Sequence, residues 1–203
     1  MKDNIFFVYV LVSVIAYFMG NFATSYIVSM RSAKIDIRQH GSGNAGATNV
    51  LRVLGAKAAA ITFVGDALKG VLAVVIGRYL GGSYGAILAG LFVVIGHNWP
   101  ILLRFKGGKG IATTIGVMLA INPFVVLIVF VIGVAILATT RYVSLASIVG
   151  MIVFPITMMV SKQPVEYITF SIILALLAIY RHRANIGRLL KGTESKLGQK
   201  KAE

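Results

Sequence analysis

The feature that most constrains this chain is a series of long apolar runs that contain few charged residues. Seven such segments can be read, at residues 4–29, 58–79, 84–103, 111–121, 124–139, 143–160 and 165–180. A helix needs about 20 apolar residues to cross the hydrocarbon core of a bilayer, and several segments approach that length. The chain is 58% hydrophobic and only 13% charged, so polar groups cannot cover its surface. The sequence predicts an all-α integral membrane protein with seven transmembrane helices.

Segments 111–121 and 124–139 are short, and the N-terminal segment 4–29 has an alternative interpretation. Segments 111–121 and 124–139 are separated by a turn at Pro123, so they could form two short spans or one re-entrant hairpin. The first segment resembles a signal peptide, but Asp3 offsets Lys2, the apolar run is too long and no cleavage pattern follows it. It is therefore predicted to be a span of a single membrane domain, residues 1–203.

The distribution of positive charge predicts the orientation of the chain. Sixteen of the 20 Lys and Arg residues lie in the connections 30–57, 104–110 and 140–142 and in the tail 181–203. Connections on the cytoplasmic side carry an excess of Lys and Arg. These four segments and the C-terminus are therefore predicted to be cytoplasmic, and the N-terminus to lie outside.

The residues that the chain lacks exclude several kinds of chemistry. It has no cysteine, three scattered histidines and only six acidic residues, so thiol catalysis is excluded and neither a metal site nor a cofactor is expected. No pair of carboxylates is available on the predicted cytoplasmic face, and no Gly-x-Ser-x-Gly nucleophile motif is present. No histidine is followed five positions later by aspartate, which excludes the arrangement used by the common glycerolipid acyltransferases.

The first polar cluster, at residues 38–55, combines glycines with small polar side chains, which are followed by Arg52. Glycines let backbone N–H groups approach an anion, and an arginine guanidinium matches the geometry of a phosphate. An ordinary flexible loop has a similar composition. The repeated pattern favours phosphate binding by the polar members of the cluster, which are Ser42, Asn44, Thr48, Asn49 and Arg52.

The second cluster, "GHNWPILLRFKGGKGIATT" at residues 96–114, places cations between glycines at the end of an apolar run. It lacks the spacing of a Walker motif, but Gly110 opens the next predicted helix, whose N-terminus favours an anion. The lysines could instead be interfacial anchors, and a lone interfacial histidine such as His97 is more often structural than catalytic. Pro100 should kink the preceding helix. The predicted anion-binding residues are Lys106, Gly107, Gly108, Lys109 and Gly110.

Two further patterns carry polar residues close to or inside the predicted spans. Ser144, which could cap a helix, and Asn185 belong to a third cluster at residues 139–148 and 180–190. Its arginines could simply anchor lipid headgroups, whereas Asn185 has no such explanation.

Within the second span, Asp66 and Lys69 are three residues apart on one helical face, which predicts a structural ion pair. A role of this pair in fixing the first loop is a further possibility.

Four stretches together resemble the bacterial acyl-phosphate:glycerol-3-phosphate acyltransferases. They are "GSGNAGATNVLRVLG", "GHNWPILLRFKGGKGIAT", "RYVSLASI" with "YRHRANIGRLL", and "GDALKG", and they occur in order along essentially the whole chain. The resemblance implies a seven-span fold in a bacterial cytoplasmic (inner) membrane, with its active site at the cytoplasmic surface. It also implies transfer of a fatty acyl group from acyl phosphate to the 1-hydroxyl of glycerol-3-phosphate, giving lysophosphatidic acid and inorganic phosphate, the first acylation of phospholipid synthesis.

This chemistry agrees with the residue patterns, because both substrates carry phosphate and acyl phosphate has a good leaving group. Transfer is then direct and substrate-assisted, without a protein nucleophile. The predicted catalytic residues are His97, Asn185, Lys106 and Ser42. Glycerol-3-phosphate is assigned to Ser42, Asn44, Arg52 and Lys109, and acyl phosphate to Lys106, Gly107, Gly108, Lys109, Gly110, Thr48, Asn49 and Ser144. The expected partners are these substrates and the lipid bilayer, with no nucleic acid.

A transporter or flippase for phosphate or a phospholipid is the alternative function. Such proteins usually bind their substrate near the midplane, between repeated halves. This chain shows no internal repeat, and its polar residues collect at one predicted surface. The sequence is compatible with a monomer. It contains no feature that determines the preferred acyl-chain length.

Overall fold

The computed structural model describes residues 2–199, with side chains from residue 5 onward. Within that range the structure has nine α-helices and two short 3-10 helices, and no strand. The chain divides into two compact units, one ending at Asn122 and one beginning at Pro123. The predicted basic tail is described only as far as residue 199, so Lys200 and Lys201 lie outside the described residues.

The first unit begins with two helices, α1 (Lys2–Asn21) and α2 (Thr24–Ala33). Together they occupy the predicted span 4–29, but the helix is interrupted at residues 22–23, where Ala23 has extended backbone angles (φ −83°, ψ 92°). Residues 22 and 23 are neither glycine nor proline, although Gly20 lies two residues before the break. The free carbonyl groups of Gly20 and Phe22 accept hydrogen bonds from Lys69, a residue of a later helix.

The first predicted cytoplasmic connection is an ordered segment with a small apolar core. It contains a 3-10 helix (Ile37–Gln39) and α3 (Ala47–Leu54). Ile37 and Val50 are completely buried and form a cluster with Ala59 of the following helix. This cluster attaches the glycine-rich segment between the two short helices to the membrane-embedded part of the unit.

The longest helix, α4 (Ala56–Asn98), is a hairpin of two helical arms. A straight helix of 43 residues would be about 65 Å long, twice the thickness of the hydrocarbon core. Its backbone leaves helical geometry at Gly81 and Gly82, where φ is 62° at Gly82. A Cβ atom on Gly77 would collide with the carbonyl oxygen of Gly85, and the reverse is also true, so the arms cross with their backbones in contact. These arms correspond to the predicted second and third spans.

Pro100 ends the second arm of α4 and does not merely kink it. The helix stops at Asn98, and Trp99 has non-helical angles, as expected for a residue that precedes proline. A 3-10 helix (Ile101–Leu103) follows, and residues 104 and 105 have positive φ angles of 55° and 61°. Helix α5 (Ile111–Ile121) then begins immediately after Gly110, as predicted. Helix α4 packs against both α1 and α5.

The second unit contains four helices. They are α6 (Pro123–Thr140), α7 (Val143–Val160), α8 (Val165–Arg181) and α9 (Arg183–Leu190). The first three match the predicted segments 124–139, 143–160 and 165–180 to within one residue at each end. Helix α7 packs between α6 and α8, around the completely buried side chains of Phe154, Met158 and Leu174.

The lengths and apolar character of these helices are those of a multi-pass integral membrane protein. Within residues 2–199, four continuous helical stretches could cross a bilayer, and a fifth is obtained if α8 and α9, bent by 60°, form one broken span. This count treats α4 as a single stretch and leaves out α5, which has fewer than 18 residues. Many large apolar side chains face outward, among them Phe6, Phe7 and Tyr79, as expected where lipid is the solvent.

Candidate active site

The glycine-rich part of the first connection is held in place by the side chain of Asn49. This side chain is buried, and its amide group donates to the carbonyl oxygens of Ile37 at 3.0 Å and His40 at 2.9 Å. Its Oδ1 atom accepts a hydrogen bond from the backbone N–H of Ser42 at 2.8 Å. Both amide protons are therefore used within the loop. This placement favours a structural role for Asn49 over its predicted contact with acyl phosphate.

Arg38 connects the first polar cluster to the second. Its guanidinium forms a bidentate ion pair with Asp36, with contacts of 2.6 Å and 2.9 Å, and lies over the ring of Tyr26. Its Nη1 atom donates to the carbonyl oxygen of Leu103 at 2.9 Å, across 65 residues of sequence. Arg38 thus links Asp36, which lies just before the first cluster, to Leu103, which lies just before the lysines of the second.

This ion pair shifts the pKa values of both partners. The hydrogen bonds from Arg38 lower the pKa of the Asp36 carboxyl below its ordinary value, against a smaller opposing effect of burial. Hydrogen bonding to Asp36 likewise raises the pKa of Arg38. Both groups are therefore charged at neutral pH, and their attraction keeps the arginine in place.

The second cluster is a tight turn packed onto the end of α4. A Cβ atom on Gly107 would collide with the carbonyl oxygen of His97, and the backbone N–H of Gly108 donates to that same oxygen at 3.2 Å. Gly110 has a φ of 81°, a left-handed conformation that glycine adopts without strain, and it caps α5. The three glycines are thus required by close contacts and backbone geometry.

Asn98 lies beneath this turn and has an amide group with no protein partner. Its side chain is completely buried, and neither its Nδ2 nor its Oδ1 atom makes a hydrogen bond within the described residues. Its Oδ1 would lie 2.8 Å from a Cβ atom on Gly110, at the start of α5. Buried polar groups in proteins are nearly always satisfied, so such an amide indicates a place where solvent or substrate binds.

His97 is held by the ion pair that the sequence predicted within the second span. Nζ of Lys69 lies 2.8 Å from Oδ1 of Asp66, which confirms the pair, and 2.9 Å from Nδ1 of His97. All three side chains are at least 93% buried. The other edge of the imidazole ring reaches both glycine-rich segments, because a Cβ atom on Gly108 would collide with Nε2 of His97 and lie 2.7 Å from the carbonyl oxygen of Ala45.

The second unit has its own polar centre, built around the carboxylate of Glu194. The Oε1 atom of Glu194 accepts hydrogen bonds from Nδ2 of Asn185 at 2.6 Å and from the hydroxyl of Ser144 at 2.7 Å. Its Oε2 atom accepts from Nε of Arg188 at 2.6 Å. Ser144 therefore does not cap α7, since Tyr142 is the N-cap residue and the Ser144 side chain turns to the carboxylate.

The pKa of Glu194 is lower than usual despite its burial. Loss of solvent acts to raise the pKa, but the hydrogen bonds from Asn185, Ser144 and Arg188, together with the positive charge of Arg188, outweigh this effect. The carboxylate is therefore ionised at neutral pH and holds the three side chains as a unit.

The remaining predicted residues lie at or near the surface of the first unit. The side chains of Ser42, Arg52 and Lys106 are exposed, and those of Asn44, Thr48 and Lys109 are half-buried. Within residues 5–199, the side chains of Arg52 and Lys106 make no hydrogen bond or ion pair, so both cations can bind an external anion. No group of three or more His, Cys, Asp or Glu side chains that could hold a metal ion occurs within that range.

The structure therefore brings some predicted residues together and adds others. His97 meets Gly107 and Gly108, and Ser144 meets Asn185 through a shared carboxylate. Arg38 and Glu194 were not predicted from the sequence as positioning residues. The scarcity of acidic residues was the available signal, because Asp36 and Glu194 are two of only six and each must be balanced by a partner.

Comparison with known proteins identifies the family. The sequence model of the family described as "Glycerol-3-phosphate acyltransferase" matches residues 10–192. A glycerol-3-phosphate acyltransferase of Thermoanaerobacter pseudethanolicus is 56% identical over 191 residues, which cover 94% of this chain and 96% of that protein.

Two crystal structures of PlsY (YgiH), an integral membrane glycerol 3-phosphate acyltransferase, have the same fold. The glycerol 3-phosphate form matches with a TM-score of 0.89 and 39% identity, covering 94% of this chain and 96% of that one. The lysophosphatidic acid form matches with a TM-score of 0.87 and 38% identity, covering 94% and 95%. The chain belongs to the glycerol-3-phosphate acyltransferase family.

Proposed function

We propose that this membrane enzyme, which acylates glycerol-3-phosphate in phospholipid synthesis, takes its acyl group from acyl phosphate and transfers it directly to the 1-hydroxyl. The products are lysophosphatidic acid and inorganic phosphate. The observation that supports this proposal best is the turn at Gly107–Gly110, where the His97 ring and the partnerless amide of Asn98 lie against a glycine backbone at the start of α5. Backbone N–H groups at a helix start, next to two lysines, suit a phosphate.

Glycerol-3-phosphate is assigned to the exposed edge of the first polar cluster. Arg52 is an exposed cation with no hydrogen bond or ion pair to any side chain or backbone group of residues 5–199, and it would bind the phosphate. Ser42 and Asn44 supply neutral hydrogen bonds to the glycerol hydroxyls, while Lys109 shares the charge of the phosphate.

Acyl phosphate is assigned to the turn of the second cluster. Lys106 and Lys109 would neutralise its phosphate while the backbone of Gly107, Gly108 and Gly110 approaches it closely. Thr48 and Ser144 remain proposed contacts, and Asn185 remains a proposed catalytic donor. Asn49 acts indirectly, by shaping the loop that carries Ser42.

The reaction needs no protein nucleophile. The 1-hydroxyl oxygen of glycerol-3-phosphate attacks the carbonyl carbon of the acyl phosphate, the bond from that carbon to the phosphate oxygen breaks, and the hydroxyl proton passes to the departing phosphate. Cations on the phosphate stabilise the charge that it gains. His97 orients the hydroxyl or polarises the carbonyl group. Holding the two substrates together supplies much of the rate.

The acyl donor is tested by phosphate release from purified enzyme in detergent. Incubation with synthetic palmitoyl phosphate is expected to release inorganic phosphate only when glycerol-3-phosphate is present, one phosphate for each lysophosphatidic acid. Palmitoyl-coenzyme A in place of the acyl phosphate should give no product. Turnover with the coenzyme A ester and none with acyl phosphate would overturn the proposed donor, and an absence of turnover with either would favour transport.

The assignment of glycerol-3-phosphate to Arg52 has a separate test. The R52A variant should raise the KM for glycerol-3-phosphate by about 10-fold or more, because a charge-assisted contact of roughly 1.5–3 kcal/mol is lost. Arg78 is exposed at the far end of the first arm of α4, so R78A is the matched control. An unchanged KM in R52A would contradict the assignment.

For the membrane topology we propose seven spans, with the N-terminus outside and the polar clusters on the cytoplasmic side of a bacterial inner membrane. In this arrangement α5 and both arms of α4 each count as a span. The chain has no native cysteine, so single cysteines report accessibility without background. S83C and K162C should react with an impermeant maleimide in intact cells, whereas Q39C and K191C should react only after permeabilisation. The reverse pattern would overturn the orientation.

A further inference from the structure

Lys69 is a buried cation with four close oxygen and nitrogen neighbours. Its Nζ atom lies 2.7 Å from the carbonyl oxygen of Phe22 and 3.2 Å from that of Gly20, both at the interruption between α1 and α2. It also lies 2.9 Å from Nδ1 of His97 and 2.8 Å from Oδ1 of Asp66. The side chain is only 7% exposed, so these contacts replace its solvent shell.

The three protons of the ammonium group account for three of these neighbours. Oδ1 of Asp66 also lies 3.6 Å from Nδ1 of His97, which is too long for a hydrogen bond. It accepts no hydrogen bond of good geometry within the described residues, so it acts as a counter-charge. The protons then go to the two carbonyl oxygens and to His97. Asp66 at this distance keeps the amine in its charged form, as is usual for paired charges at membrane depth.

This arrangement determines which nitrogen of His97 carries a proton. An ammonium group donates hydrogen bonds and cannot accept them, so Nδ1 of His97 must be the acceptor. A neutral imidazole has one protonated nitrogen, and the hydrogen bond at one nitrogen decides the state of the other. The proton of His97 therefore lies on Nε2.

The protonated nitrogen points toward the meeting place of the two glycine-rich segments. Nε2 is the atom with which a Cβ on Gly108 would collide, and the carbonyl oxygen of Ala45 lies 2.7 Å from the same Cβ position. Lys69 therefore links the interruption after α1 to a ring that presents an N–H donor to both segments.

We infer that Lys69 is a positioning residue that holds His97 as an Nε2–H donor, so that His97 stabilises a substrate oxygen and does not act as a base. This inference rests on the proposed acyl transfer for its catalytic meaning. It deepens that proposal in one respect, because a histidine that already carries its proton on the site-facing nitrogen leaves the donor's phosphate to accept the hydroxyl proton.

The tautomer is measured directly by nitrogen NMR on the full-length enzyme. The chain has three histidines, so protein with 15N-labelled imidazoles in detergent gives three sets of ring signals. The H97Q variant identifies the set that belongs to His97. At pH 7.5 and without substrate, the wild type should show a protonated Nε2 and an unprotonated Nδ1. A protonated Nδ1, or protonation at both nitrogens, would overturn the inference.

The contribution of Lys69 is then tested with K69M, and with K57M as the matched control. Lys57 is exposed near the start of α4 and makes no contact with His97. K69M should give mixed tautomer signals for His97 and a kcat about 10²-fold lower, the effect expected for a misplaced catalytic group. K57M should leave both unchanged. A K69M spectrum identical to that of the wild type would overturn the role of Lys69.

The tautomer of His97 and the turnover of acyl phosphate are separate measurements, so they distinguish this inference from the proposed function. The tautomer is read from the wild-type enzyme without substrate, and only the assignment of its signals uses H97Q, so it is decided even if K69M does not fold. A wrong tautomer with intact turnover of acyl phosphate would overturn the inference alone. The expected tautomer without such turnover would overturn the proposed donor alone.

Discussion

The Oε1 atom of Glu194 lies 2.6 Å from Nδ2 of Asn185, nine residues earlier in the chain. The same oxygen binds the hydroxyl of Ser144, and the other carboxylate oxygen binds Arg188. The side chain of Glu194 is only 4% exposed, so these contacts form away from water. One acidic residue thereby fixes the orientation of two side chains that the sequence predicted as substrate contacts.

Replacing this carboxylate should weaken the second unit. In E194Q the new amide can still accept from Asn185, but its NH₂ group would face Nε of Arg188, donor against donor. We expect a loss of roughly 2–3 kcal/mol, the cost of a charge-assisted hydrogen bond, seen as a lower unfolding temperature in detergent. E166Q, at the start of α8, is the control and should unfold like the wild type. Equal stability of E194Q and E166Q would contradict this role.

The same residue predicts a dependence of stability on acidity. A carboxyl whose pKa is lowered on folding stabilises the protein above its unfolded-state pKa, and this stabilisation is lost as the pH falls through the folded-state pKa. For Glu194 the contribution should be complete above the ordinary value of 4.5 and should decline only at lower pH. Unfolding temperatures measured from pH 7 to pH 3 should fall less steeply for E194Q than for the wild type. Parallel curves would show that this carboxyl does not contribute.

Removal of Arg38 should separate the two polar clusters of the first unit. R38A loses the ion pair to Asp36 and the hydrogen bond to the Leu103 carbonyl, so the loop before Lys106 is no longer tied to the first connection. We expect kcat/KM for glycerol-3-phosphate to fall about 10-fold or more through loss of orientation. R31A removes an exposed arginine of α2 and should retain activity. Equal activity of the two variants would leave Arg38 with no positioning role.

A single added methyl group at Gly108 should displace His97. The Cβ of G108A would occupy the position of Nε2, so the ring must move or the turn must open. We expect kcat to fall about 10²-fold, the effect of a misplaced group, with a smaller change in KM. A Cβ atom on Gly187 in α9 would meet no other described part of the protein within 4 Å. Because alanine also favours helices, G187A should stay active and be at least as stable as the wild type. Normal turnover in G108A would contradict the placement of His97.

Much of the fold could be predicted because local chemistry marks its boundaries. Helices α5 and α7 begin and end as predicted, since Gly110 opens the first and residues 161–164 contain the turn that ends the second. The ion pair of Asp66 and Lys69 followed from their spacing on one face. These features depend on neighbours in sequence, which an apolar pattern and a few special residues reveal.

The features that were not predicted depend on residues far apart in the chain. The interruption at Ala23 contains no glycine or proline, and its carbonyls are satisfied by a lysine 47 residues away. Ser144 was a possible cap of α7, but its partner Glu194 is 50 residues later. Asn49 carries a side chain suited to phosphate, yet its amide is used by the loop itself. No local pattern encodes such partners.

Direct transfer without a protein nucleophile is the central claim, and the mass of the intact enzyme tests it most directly. Purified enzyme is mixed with palmitoyl phosphate alone, quenched in acid within one turnover time and weighed by mass spectrometry. Glycerol-3-phosphate is then added to a second sample to show that the enzyme is active. We predict an unmodified mass before the acceptor is added and formation of lysophosphatidic acid after it. An enzyme heavier by one palmitoyl group, which disappears when glycerol-3-phosphate is added, would contradict the account.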